Sequence, residues 1–167
     1  MPVLAAQAAT DVTLDVAVKA AFLFNFAKFT EWPTLPAGAR ILFCVVGDEA
    51  VTAALGGTVR GQNVGGHVLD VSRAPDVAEW RTCQLLFVAD TEIQRVSGGL
   101  AGIKTLPVLT VSDHKGFAQT AGIVELYVEG GRMRFAINVD VAEQAGLRLS
   151  SRLLGLARVI RNGRSLP

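Results

Sequence analysis

Apolar positions crowd Val18 to Pro33, where Phe22, Phe24, Phe26 and Phe29 supply four of the chain's eight phenylalanines. Phe22, Phe26 and Phe29 recur at helical spacing, and Phe24 points off that stripe. The pattern predicts a helix that is apolar on more than one side, because Lys19, Asn25 and Lys28 do not make a continuous solvated face. Trp32-Pro33 stops it, since the residue before proline is pushed out of the α region. A helix of this kind packs into a core, or packs on its own domain and carries a partner surface as well.

Beyond a Pro/Gly turn over residues 34–40, Ile41 to Val46 is an unbroken apolar run of strand length that closes on Gly47-Asp48. Such runs suit strands covered on both faces, as in parallel sheets. A short helix is expected over Glu49–Leu55, a glycine-rich loop over Gly56–Gly66, and a second strand over His67–Ser72. Ala78–Arg81 reads as a helical turn. Leu85–Val88 reads as a third strand, Thr91–Leu100 as a helix, and Leu106–Val111 as a fourth strand ending at Ser112-Asp113. Strands alternating with helices imply an α/β domain.

The period then changes. Residues 123–129 and 132–137 alternate apolar and polar around Gly130-Gly131, the signature of a hairpin. With those glycines at the turn, Glu129 faces Arg132 and Tyr127 faces Arg134. Val124, Leu126 and Val128 share one face with Met133, Phe135 and Ile137. Val139–Ala145 reads as a short helix closed by Gly146. Ser150 or Ser151 caps a last helix with Leu153, Leu154, Ala157 and Ile160 as its apolar stripe. The fold expected is a single-domain α/β three-layer sandwich: a mostly parallel sheet, a C-terminal β-hairpin and flanking helices.

Length and charge narrow the function. A chain of 167 residues, half of them hydrophobic and 19% charged, can bury a substantial core. A net charge of +1 gives no global attraction to nucleic acid. The distribution is less even, with Arg148, Arg152, Arg158, Arg161 and Arg164 following the last acidic residue, Glu143. No apolar run has the ~20 residues that span a bilayer. Residues 1–8 end in Ala6-Gln7-Ala8 and read as the remnant of a secretory signal peptide, with a frayed tail of no function as the alternative, leaving 9–167 as the domain.

Catalytic patterns are weak. A phosphate loop needs several glycines directly after the first strand, and only Gly47 stands there. Cys44, Cys83, His67 and His114 are scattered singly, unlike the local spacing of zinc ligands. Ser112-Asp113-His114 has the residue types of a hydrolase triad, but sequence neighbours diverge in space and the segment reads as a turn. No pair of carboxylates stands out as acid and base. Cys44 and Cys83 sit in the first strand and at the start of the third, which are often neighbours in doubly wound sheets. A bridge closing about 40 residues is then geometrically reasonable. Two buried thiols acting as small hydrophobes are the alternative.

In order, KAAFLFNFAKFTEWP, FCVVGD, CQLLFV, PVLTVSDHKGFA and RFAINVDVAEQAGLRLSSRLLGLA resemble the YfiR family of periplasmic proteins, from about Val16 to Arg158. The resemblance implies secretion to the periplasm of Gram-negative bacteria and no enzymatic activity. It implies repression of an inner-membrane diguanylate cyclase through that enzyme's periplasmic sensor domain, which lowers cyclic-di-GMP and biofilm formation. An outer-membrane lipoprotein sequesters such repressors. Family members are homodimers that respond to redox state, and aromatic amino acids or nucleotides are candidate ligands. The resemblance adds weight to a Cys44–Cys83 disulfide and to the secretory reading of the N-terminus. Some members carry a second cysteine pair that this chain lacks, so a switch built on that pair cannot operate here.

A repressor of this kind needs a surface, with no cofactor and no nucleic acid. Phe22, Phe26 and Phe29 are the expected dimer or partner contacts. Asn25, Lys28, Glu31, Arg148 and Ser150 are expected to rim a ligand pocket between the first and last helices. Arg148 is the leading candidate for a carboxylate or phosphate contact, because a guanidinium pairs with either at two points. A periplasmic sensing module for an aromatic or anionic metabolite is the alternative function.

Overall fold

The computed structural model describes residues 2–120, 122–161 and 164–165, with side chains from Asp15 onward within those ranges. Helix α1 spans Pro2–Lys28 and leads through β1 (Thr30–Glu31) to β2 (Ile41–Val46). It takes in the backbone of the stretch read as a signal-peptide remnant, whose side chains lie outside the described residues. Then come α2 (Glu49–Val59), β3 (Asn63–Val64), β4 (His67–Arg73), β5 (Leu85–Val88), α3 (Ile93–Gly102), β6 (Leu109–Ser112) and α4 (Phe117–Thr120). The last third holds β7 (Val124–Glu129), β8 (Arg132–Asn138), α5 (Val139–Gln144), β9 (Arg148–Leu149), α6 (Ser151–Leu156), β10 (Arg158–Arg161) and β11 (Arg164–Ser165).

Nine strands form one sheet in the order β11-β10-β8-β7-β6-β5-β2-β4-β3. The run from β4 to β7 is parallel throughout, and β10 is parallel to β8. Antiparallel pairs are confined to the β7–β8 hairpin and the two edges. The apolar runs of β2, β5 and β6 are covered on both faces, which is why they show no polar alternation. One face of the sheet carries Phe43, Phe87, Val111 and Phe135 beneath α1, α2 and α5. The other carries Cys44, Leu86 and Val88 against Trp80 and the Ile93, Val96 and Leu100 stripe of α3. The molecule is thus the three-layer α/β sandwich expected.

The hairpin has the predicted register, with Glu129 opposite Arg132 and Tyr127 opposite Arg134. Gly130 and Gly131 have φ of 60° and 75°, as a two-residue turn matching the strand twist demands. Val128 departs from the expected core face. It is 65% exposed, because the hairpin tip runs past the helices that cover Leu126 and Phe135.

Two expectations are corrected. The glycine-rich loop begins later than read, since α2 continues through Gly56-Gly57 to Val59. Burial of Val51, Leu55 and Val59 at i, i+4, i+8 holds that extra turn on the sheet. The last helix also stops early, at Leu156. Residues 158–161 instead form β10 on the open edge of β8, and Ile160 is buried against Ala118 and Ala136 as a strand residue. Ile160 therefore does not belong to the stripe of a last helix.

Candidate functional site

The face that α1 turns to the sheet consists of Ala20, Leu23, Phe26, Ala27 and, just past the helix, Thr30, all buried. Phe26 is fully sealed, its ring 5.0 Å from that of Phe135 in β8 in an edge-on arrangement. It is a core residue and offers nothing to a partner, which corrects its place among the expected contacts. The cause is the hairpin: β8 lays Phe135 across α1 and closes over one side of the phenylalanine stripe. Phe22, 5.7 Å from Phe135, and Phe29 are half-buried and keep part of each ring outside. The solvent side of α1 is the stripe Val18, Ala21, Asn25 and Lys28, all exposed.

A cleft of about 300 Å³ lies where α1 ends, lined by Lys28, Phe29, Thr30, Glu31, Arg148, Leu149 and Ser150. What assembles it is a two-residue ladder, β1 on β9, that sets Glu31 opposite Arg148 and Thr30 opposite Leu149. The Ser150 amide extends the junction by donating to the Phe29 carbonyl at 3.0 Å. Four of the five expected pocket residues thus meet, while Asn25 stands apart from the lining. Ser150 has a structural duty as well: its hydroxyl oxygen accepts the Leu153 N–H at 3.1 Å and caps α6. Lys28 sits at the carbonyl end of α1, where the helix dipole favours a cation. Arg148 is exposed and has no carboxylate within ion-pair distance among the described residues. The cleft can therefore offer two cations and one anion to a small ligand. A second hollow of about 420 Å³ shares Lys28, Thr30 and Glu31 and has Trp32, Leu35 and Ile41 in its lining.

Doubly wound sheets usually bind ligands outside the carboxyl ends of the strands where the order reverses, here between β2 and β5. At that position Glu92 packs against the Gly47 backbone. Gly47 has φ of +80°, and a methyl group on it would stand 2.4 Å from Glu92 Cγ. Lys19 reaches from α1 to Asp113 Oδ2 at 2.9 Å and to Asp15 at 3.1 Å. The other Asp113 oxygen accepts the Asp90 N–H at 2.9 Å, and His114 Nδ1 lies 2.6 Å from Asp90 Oδ1. Burial pulls the Lys19 ammonium down, but the hydrogen bond and charge of Asp113, with Asp15 behind them, outweigh it and leave its pKa raised above 10.5. Ser112 is fully buried and donates to the Val88 carbonyl at 2.6 Å. The Ser-Asp-His run therefore spends its groups on the turn that fixes α1 to the sheet. Among the described residues no three His, Cys, Asp or Glu side chains converge as a metal site requires.

Cys44 in β2 and Cys83, two residues before the neighbouring β5, are joined as a disulfide with Cα atoms 5.9 Å apart. Each is 1% exposed, packed with Trp80 and Leu86 under the α3 layer. A bridge so enclosed fastens the loop before β5 to β2 and is shielded from soluble thiols. Among the described residues no helix is long and apolar enough to cross a membrane.

The sequence matches a protein-family model described as YfiR/HmsC-like over residues 16–158. The matched span opens on the packed half of α1 and closes at the first residue of β10, so it takes in both halves of the charged cleft and the disulfide. A match of that extent places the chain in the YfiR/HmsC-like family.

Proposed function

We propose that this protein is a periplasmic regulator that represses a membrane-anchored diguanylate cyclase by binding its periplasmic sensor domain, lowering cyclic-di-GMP and biofilm formation. Family membership over residues 16–158 carries this reading. A buried disulfide suits an oxidising compartment. At the crevice where such sheets commonly bind ligands, Glu92 packs against Gly47, and Lys19 is committed to Asp113 at the end of β6. The contact surface is the outer stripe of α1, Val18, Ala21 and Asn25, with the free edges of Phe22 and Phe29. The same stripe supports a homodimer, and an outer-membrane lipoprotein competes for the repressor.

The test is binding of the oxidised, folded protein to the periplasmic sensor domain of a membrane-anchored diguanylate cyclase from the same organism. Val18→Glu should weaken that complex at least tenfold while leaving the fold intact. No complex between the two folded partners removes the repressor reading.

A second reading, sensing of an aromatic or anionic metabolite, is favoured by the convergence of Lys28, Glu31 and Arg148 on one cleft. Calorimetric titration with aromatic amino acids and nucleotides tests it. Heat of binding that disappears in Arg148→Ala supports a sensing site there. Silence across both ligand classes counts against it.

A further inference from the structure

The outer face of the sheet at β7, β8 and β10 carries a cluster that the proposed activity does not use. Tyr127 is the cross-strand partner of Arg134, and Ala136 is the partner of Arg158, so all four side chains rise from one face. Position 136 is an alanine. The Arg158 side chain therefore passes over β8 and lays its guanidinium on the Tyr127 ring, 4.5 Å from the centroid. Cation–π attraction holds the guanidinium over the ring without consuming its N–H donors. Arg158 is exposed and makes no ion pair among the described residues. Among the described residues Arg134 pairs only with Glu129, at 4.0 Å, with both side chains more than half exposed. Arg132, exposed opposite Glu129, adds a third cation to the same face.

We propose that this face docks an acidic segment of a protein partner, whose Asp and Glu carboxylates are taken by Arg158 and Arg134 on either side of Tyr127. It rests on the reading that the protein works by binding another protein, and it adds a second contact, on the sheet face opposite α1. Charge complementarity selects the occupant. A guanidinium takes a carboxylate at two points. The whole chain carries only +1, which gives no long-range pull toward an anionic bilayer. Glu129, standing inside the patch, would be forced against a continuous anionic surface. A polypeptide with spaced carboxylates avoids it.

Tyr127 is the chain's single tyrosine, so 3-fluorotyrosine labelling gives one fluorine resonance that reports this face alone. Titration with a deca-glutamate peptide should move that resonance to saturation, with deca-lysine inert. Arg158→Gln and Arg134→Gln should each weaken the response at least tenfold, and Arg158→Lys should rescue little of it, because an ammonium lacks the two-point edge. No movement with deca-glutamate overturns the proposal. So does an undiminished response in Arg158→Gln, or a response to phosphatidylglycerol vesicles without one to the peptide. The cyclase takes no part in this titration. A positive peptide response beside a failed sensor-domain complex removes the cyclase reading alone, and the reverse removes the acidic-segment proposal alone.

Discussion

Phe26 and Val18 lie two turns apart on α1, and the structure gives them opposite duties. Phe26 has no exposed surface and contacts both Phe22 and Phe135. Truncation to alanine removes a buried ring from a close-packed layer, so Phe26→Ala should lower unfolding free energy by about 3–5 kcal/mol in urea titration. Val18 is 39% exposed, and Val18→Glu should shift that free energy by less than about 0.5 kcal/mol. A stable Phe26→Ala protein would mean that the ring lies outside the core. Spacing alone made Phe22, Phe26 and Phe29 equivalent. Which of them is sealed is decided by Phe135, more than 100 positions away, and no local pattern carries that information. The signal for the cleft was similarly faint. Thr30-Glu31 and Arg148-Leu149 form a ladder of two residues each, too short for a period-2 reading.

Legibility at the level of elements tracked how local the deciding interactions are. The β7–β8 hairpin was readable to the residue because Gly130-Gly131 sets the turn and alternation sets the face. β10 was not, because Arg158–Arg161 follows a capped helix directly and its strand state depends on the unpaired edge of β8. Helix α1 shows the same dependence in its charges. Lys19 holds it to the end of β6 through Asp113, and the ammonium's side chain is only 13% exposed. The folded pKa lies above the unfolded value of 10.5, so this contribution is fully present below that pH and fades as pH climbs through the folded pKa. The stability difference between the native protein and Lys19→Met should therefore be constant from pH 7 to about 9 and shrink above about 10.5. Chemical unfolding across that range measures it. A gap that stays constant through the alkaline range would show that Lys19 contributes by packing alone.

On the scale of the whole molecule, the disulfide decides whether redox state acts on function or only on folding. Its two cysteines are 39 residues apart in sequence, and the bond ties β2 to the entry of β5, the pair of strands between which the strand order reverses. Closing a loop of that length restricts the unfolded chain by about 4 kcal/mol in the chain-entropy model. The Cys44→Ala/Cys83→Ala protein should lose about that much stability in urea and show a larger denaturant slope, because its unfolded state is more expanded. Both sulfur-bearing residues are 1% exposed, so a thiol reductant reaches the bond only when the sheet opens. Reduction should accordingly be slow under native conditions and accelerate steeply with urea. The outer stripe of α1 lies on the opposite face of the sheet from the bridge. On the repressor function proposed above, a double variant that is folded at 25 °C should bind the cyclase sensor domain as tightly as the parent, and binding should fail on warming only as the protein unfolds. A folded double variant with binding weakened tenfold or more would instead make the bridge part of the regulatory mechanism, with its influence passing through the sheet to α1.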